Sequence, residues 1–307
     1  MSPIQPGVAS PLVAPGMSKG SGRWQTLLQV PAVGVLLLWM VVPLAMTVYF
    51  SFMRYSLLNP DIHGFARLEN YRFLWQDASF FPALLNTAVL IGAVLGITVA
   101  LGTLLAVLYD RRFFGRNAAM LLAIAPFFVM PTVSALVWKN MIMHPVYGLL
   151  ARAFAVIGLA PLDWFGRLPM LSIVIILSWE WLPFAFLVLY TSLKSLDPEQ
   201  REAARIDGAN ATQAFCHITL PHLKRAIGVV VMIETIFLLS IFAEIYTTTS
   251  GGPGTATTNL AYLVYSLGLQ QFDVGIASAG GILAVILANV VAFFLVRILA
   301  RRLKRPV

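Results

Sequence analysis

The chain of 307 residues is 59% hydrophobic and 11% charged, with a mean hydropathy of +0.83, whereas soluble domains carry roughly 25% charged residues. That balance excludes an ordinary water-soluble globule and makes the chain an integral membrane protein. The 21 basic and 13 acidic residues give a formal net charge of +8, but the basic residues stand at the ends of apolar runs and share no one face. This excludes a nucleic-acid platform and assigns the charge to membrane topology.

Residues 1–25, with Pro3, Pro6, Pro11 and Pro15 among glycines and serines, have no apolar periodicity and are expected to be a disordered cytoplasmic segment. A transmembrane domain over 26–300 follows, with apolar spans at about 27–50, 81–109, 118–143, 168–193, 226–246 and 275–299. Each is long enough to cross a hydrocarbon core of about 30 Å as a helix. The first is too long for a signal-peptide core and has no small-residue cleavage site after it. The predicted architecture is an all-α membrane bundle of six spans, closed by a basic tail at 301–307. Fifteen of the 21 basic residues fall on the side that holds both termini and the loop after the fourth span, so the positive-inside rule makes that side cytoplasmic. Pro126 and Pro131 should kink the third span, which a bundle tolerates. Trp24, Trp39, Trp75, Trp138 and Trp164 suit the interfacial belt.

The fourth and fifth spans each bury an acid, Glu180 in Ser178-Trp-Glu-Trp-Leu-Pro183 and Glu234 in Val231-Met-Ile-Glu-Thr-Ile-Phe237. A charge at the bilayer centre costs at least about 2.5 kcal/mol, so both should face the bundle interior or a wet cavity. Helical spacing puts Phe184 on the Glu180 face with Trp181 at its border, and Phe237 and Ile241 on the Glu234 stripe with Ser240 close by. Carboxylates accept paired hydrogen bonds from adjacent hydroxyls, and aromatic rings cover the C–H face of a sugar or polyol. The same acids also suit helix packing, paired with hydroxyls of neighbouring helices. No Arg or Lys lies at midplane depth in these spans, so an anionic substrate would meet uncompensated repulsion and a neutral one is expected.

Between these two spans lies the polar stretch Ser195–Pro221. Asp197 is a good N-cap, Pro198 fits the first helical position, and Gln200 completes a capping box. Gly208 ends that helix, Asn210 with Gln213 opens a second, and Leu220 before Pro221 is expected to end it. Ala203 and Ala204 allow close backbone approach, while Phe215 and Ile218 form an apolar plug on consecutive turns. This describes a docking element, although an amphipathic cytoplasmic loop would share these features.

Glu202-Ala203-Ala204, Gly208, Ile218 and Leu220-Pro221, at these spacings, resemble the EAA loop of the membrane subunits of bacterial ATP-binding-cassette importers. Asp207-Gly208-Ala209 and Phe215 resemble the version in the sugar-uptake branch. The resemblance implies a type I importer permease bundle in the inner membrane, with 195–221 as the coupling loop seated on an ATPase subunit. It further implies a second homologous permease, two ATPase copies that bind ATP and Mg, and a periplasmic solute-binding protein. Besides lipid, those are the expected partners, with no nucleic acid. The polar stretch Thr247–Thr258, just after Glu244 near the outer end of the fifth span, is similar to the external loop that lies near the binding protein in such permeases.

No Gly-x-x-x-x-Gly-Lys-[Ser/Thr] loop occurs in the sequence, so the chain is expected to carry no cofactor of its own and to draw energy from a partner. The one cysteine, Cys216, and the four histidines lack metal-ligand spacing. No nucleophile and base are arranged within the spans, which argues against an intramembrane enzyme. A proton-coupled secondary transporter would also use midplane carboxylates; the expected substrate in either case is a neutral sugar or sugar alcohol.

Overall fold

The computed structural model describes residues 21–61 and 63–303, with the side chains of 21–28, 201, 205 and 298–303 left aside. The segment expected to be disordered, 1–25, is helical from Ser21 on; its residues 1–20 and the last four residues of the basic tail lie outside this range. The chain divides into two units, Met1–Met46 and Thr47–Val307. Helix α1 (Ser21–Ser51) is uninterruptedly apolar from Pro31 to Pro43, as a membrane span requires.

Thr47–Val307 begins, past the end of α1, with a short antiparallel pair, β1 (Met53–Arg54) on β2 (Gly64–Phe65), and α2 (Glu69–Gln76). Buried Asn70 fastens this segment by donating from Nδ2 to Ser51 O and Met53 O, both at 2.9 Å. Nothing in the apolar pattern marks this hairpin, because its strands are two residues each and too short to show alternation.

The centre of the unit is the pair α3 (Phe80–Asp110) and α8 (Pro169–Lys194), packed along their length. At Gly102 an added Cβ would stand 3.0 Å from Ala185 Cβ and 3.1 Å from Phe186 N; its absence lets the two backbones touch, as small residues do in membrane bundles. Leu90, Val94, Ile173 and Leu177 form one end of the shared core, and Ala106, Phe186, Leu189 and Val230 the other. At the end bearing the polar loop, Lys194 Nζ donates to Asp110 Oδ1 at 2.6 Å.

The expected third span is not one helix. It is α4 (Arg116–Ile124) with a tight turn to Phe128, then α5 (Pro131–Val137) continuing through a widened turn to Ile142, and the two halves meet at 106°. Pro131 explains the break, since it drives Met130 to ψ 136°, out of the helical region. Two short helices, α6 (Leu149–Val156) and α7 (Trp164–Arg167), precede α8.

After α8 come α9 (Pro198–Ile206) and α10 (Ala211–Ala214). Helix α11 (Leu220–Leu238) continues α10 without interruption through a wide turn at Phe215–Thr219. Leu220 therefore does not end the second loop helix, contrary to expectation. It keeps helical angles, and its N–H donates to Phe215 O, five residues back. That wide turn accommodates Pro221 by removing the clash an α-helical register would impose.

The fifth span stops at Leu238, eight residues before its expected end, and the chain restarts as α12 (Ala243–Thr248). Helix α13 (Leu260–Tyr265) and the long α14 (Val274–Leu303) complete the unit. Among the described residues, five helices are long and apolar enough to cross a membrane, or six with α4 and α5 taken as one broken span.

The stretch between α12 and α13 is tied down and not a slack hairpin. Asn86 Nδ2 donates to Thr255 O and Thr258 O at 2.8 and 2.9 Å, and Thr249 and Thr257 hydroxyls meet at 2.7 Å. Asn259 does two things at once: its Oδ1 caps α13 by accepting from Tyr262 N at 2.8 Å, and its Nδ2 donates at 2.6 Å to Ile241 O, at the break after α11. Replacing Asn259 with Ala should cost about 1–3 kcal/mol through the orphaned carbonyl and lost cap. Asn259→Asp keeps only the cap and should fall between; thermal unfolding of the purified chain in detergent ranks the three proteins.

Candidate functional site

The two broken spans meet one another. Helix α12 packs on α5, and beside them opens a cavity of about 430 Å³ whose wall is completed by α8 and the end of α11. Glu180 and Trp181 enter from α8, Phe237 from α11, Ser240 and Ile241 from the break, and Glu244 from α12; Pro126 and Phe127 close the side nearest α4. Trp181 tilts against Phe237 with centroids 5.2 Å apart, and Phe127 stacks on Phe184 at 6.3 Å. The wall is thus aromatic, and its ionisable groups are two carboxyls, Glu180 and Glu244, 6% and 3% exposed.

Of the predicted substrate residues, Glu180, Trp181, Phe237, Ser240 and Ile241 line this cavity together, and Phe184 supports it through Phe127 and an edge contact with Trp181 at 6.1 Å. Glu234 does not line it. It is fully buried one turn before Phe237, where its Oε2 accepts from Thr98 Oγ1 of α3 at 2.7 Å. It thereby pins α11 to α3 with a hydroxyl partner.

Phe127, Phe242 and Glu244 are cavity residues that sequence reasoning did not select. Pro126 and Pro131, five residues apart, were the available signal for the first break. The run Ser240-Ile-Phe-Ala243 gives none, and so Glu244 reads as the end of a straight span when the helix in fact ends at Leu238 and restarts at Ala243.

At the other end of α8 and α11 the polar loop forms two capped turns. Asp197 Oδ1 accepts from Glu199 N at 2.9 Å, and Gly208, at φ +78°, closes α9 with Ala209 N donating to Ala204 O at 2.9 Å. Asn210 and Gln213 bond reciprocally, each at 2.9 Å, the capping box expected there. His222 Nε2 lies 2.9 Å from Ser192 O and 3.2 Å from Ser195 Oγ, so the loop's two ends are joined where α8 finishes and α11 begins.

A cleft of about 880 Å³ opens here, lined by Ala203, Ala204, Asp207, Ile218 and Pro221 together with Ser195 and His222. Glu202 and Gly208 are exposed and Ala209 half-buried. Phe215 and Leu220 turn instead toward α3, lining a groove with Gly96, Val99 and Ala100, and Ile218 packs on the chain's own core. The predicted apolar plug is in part spent internally. Among the described residues no group of three or more His, Cys, Asp or Glu could hold a metal ion.

The profile of the family described as "Binding-protein-dependent transport system inner membrane component" matches residues 92–305, which takes in both breaks and the whole loop. The chain belongs to this family of inner-membrane transport components. Among the relatives of this permease, the probable ABC transporter permease protein y4oQ of Sinorhizobium fredii is 33% identical over 258 residues, 83% of this chain and 82% of that one. The trehalose/maltose transport system permease protein MalF of Thermococcus litoralis is 32% identical over 284 residues, 91% and 94% of the two chains. In fold, the permease is similar to a chain of a bacterial ABC transporter involved in import of the acidic polysaccharide alginate. The TM-score is 0.77 at 23% identity, over 93% of this chain and 97% of that chain.

The Glu234–Thr98 bond gives a test that separates packing from recognition. Thr98→Val leaves a buried carboxyl unpaired and should cost about 1–3 kcal/mol. Glu234→Gln, which retains an acceptor for Thr98 Oγ1, should cost less in the same thermal-unfolding measurement.

Proposed function

We propose that this permease subunit translocates a neutral sugar or sugar alcohol, driven by ATP hydrolysis on separate ATPase subunits coupled through Ser195–Pro221. The observation that carries this reading is the sharing of two rods. Helix α8 at its middle and α11 at its C-terminal end border the aromatic, carboxyl-bearing cavity, and the coupling loop joins the C-terminal end of α8 to the start of α11. Movement of the loop by an ATPase is passed along them to the cavity wall, the kind of rigid-body gating that alternates access.

Glu180 accepts hydrogen bonds from hydroxyls, and Trp181, Phe127 and Phe237 cover the C–H faces of the carbon chain. No lysine or arginine lines the cavity, which disfavours an anion. The trehalose and maltose named for one relative fit this chemistry. In this account ATP and Mg bind the partner ATPases, a second permease completes the pathway, and a periplasmic solute-binding protein delivers the substrate. Glu202, Ala203, Ala204, Asp207, Gly208 and Ala209 form the ATPase-facing side of the loop, with Ile218, Leu220, Pro221 and Phe215 bracing it against the bundle.

Reconstitution separates this from a proton-coupled carrier. Uptake in proteoliposomes should require added ATPase and binding protein; uptake by this chain alone under a pH gradient would refute the proposal. Glu180→Gln should lower uptake at least about tenfold, the effect of losing a charge-assisted hydrogen bond, with basal ATPase activity retained. Ala203→Asp should release the ATPase from the purified complex without changing binding-protein affinity.

A further inference from the structure

Glu244 is the cavity residue for which coupling and packing give no account. Beyond the break after Leu238, α12 seats on α5, and the Glu244 side chain stands in the cavity wall with that of Glu180. The two carboxyls interact directly, and Ser134 of α5 adjoins Glu180. Glu180 Oε1, buried in the cavity wall, makes no hydrogen bond of normal geometry within the chain. Buried polar atoms are almost always paired, so this unpaired acceptor in the cavity wall marks a place where something from outside the fold completes the bonding.

The charged groups on the elements around the pair leave it uncompensated. On the segment of α5 the cation is Lys139, whose Nζ donates to Thr247 O at 3.0 Å. On α8 it is Lys194, bonded to Asp110 at the far end of the helix. None of the cavity-lining residues on α11 or at either break is basic. A cation is the partner that favours ionisation of adjacent carboxyls in a low-dielectric wall, and an anion is the partner they accommodate least; the rings of Trp181, Phe127 and Phe242 add faces on which an ammonium group is held.

We infer that Glu244 is a specificity-determining residue of the cavity, forming with Glu180 a two-carboxyl, aromatic-walled subsite that ranks polyhydroxylated substrates by charge, amine-bearing before neutral before anionic. This rests on the reading of the cavity as the sugar site and deepens it. The substrate class is widened to aminated polyols and amino sugars, and Glu244 carries the discrimination.

Three compounds that differ only at one end of the same polyol chain test it: glucamine (a cation), sorbitol (neutral) and gluconate (an anion). Each is titrated against the assembled importer in detergent, without binding protein, by the quenching of intrinsic fluorescence that Trp181→Phe removes. Wild type should bind glucamine at least about tenfold more tightly than sorbitol, the worth of one close charge pair, and gluconate most weakly. Glu244→Gln should reduce the glucamine-to-sorbitol ratio at least about threefold while sorbitol still binds, and Glu244→Asp should keep the order. An unchanged ratio in Glu244→Gln, or equal binding of all three by wild type, overturns the inference. Quenching by none of the three would instead remove the sugar-site reading on which it rests.

Discussion

The backbone of a membrane protein must satisfy its own hydrogen bonds, and this chain interrupts two spans. The breaks at Val129–Met130 and Leu239–Phe242 sit where α5 and α12 cover one another. The carbonyl of Ile241, at the second break, is taken up by Asn259. Asn259 is in turn held at the head of α13, and Leu260 beside it donates to Thr87 Oγ1 of α3. The cavity exists because these helices are interrupted. Two straight spans here would fill the space that Glu180, Trp181 and Phe237 now surround.

Function follows from what connects to that cavity. Helix α8 is held to α3 by close backbone contact at Gly102 and by the bond from Lys194 to Asp110, while α11 is held to α3 by Glu234 and Thr98. Both rods therefore lean on the same support. The continuity of α10 through the wide turn into α11 gives the loop a stiff connection to the cavity; a helix ended at Leu220 would have been a hinge. Buried Glu234 and cavity-lining Glu180 divide the labour, one fixing the rods and the other facing the cavity.

Membrane class, six spans and the capped loop were legible in the sequence because each depends on local chemistry: apolar run length, the sidedness of basic residues, and the Asp197, Gly208 and Asn210 caps. Glu180, Trp181 and Phe237 came from helical periodicity, which holds wherever the helix is straight, while Ser240 and Ile241 reach the cavity from the break just beyond α11. Reasoning of that kind fails where tertiary contact decides. Glu234 shares the stripe of Phe237 but sits a turn deeper, against Thr98. Pro221 does not stop its helix because a wide turn absorbs it, and nothing local at Ser240–Ala243 announces a break that depends on Asn259, eighteen residues away.

The central claim is that the cavity at the double break is the substrate pathway and answers to the nucleotide state of a partner. Ser240, exposed to the cavity, reports on it directly once the single native cysteine is replaced by Cys216→Ser. Maleimide labelling of Ser240→Cys should be slowed by transported sugar. It should also change sides of the membrane between nucleotide-free and ATP-bound complex. Labelling that ignores both sugar and ATP in a transport-competent complex would contradict the account.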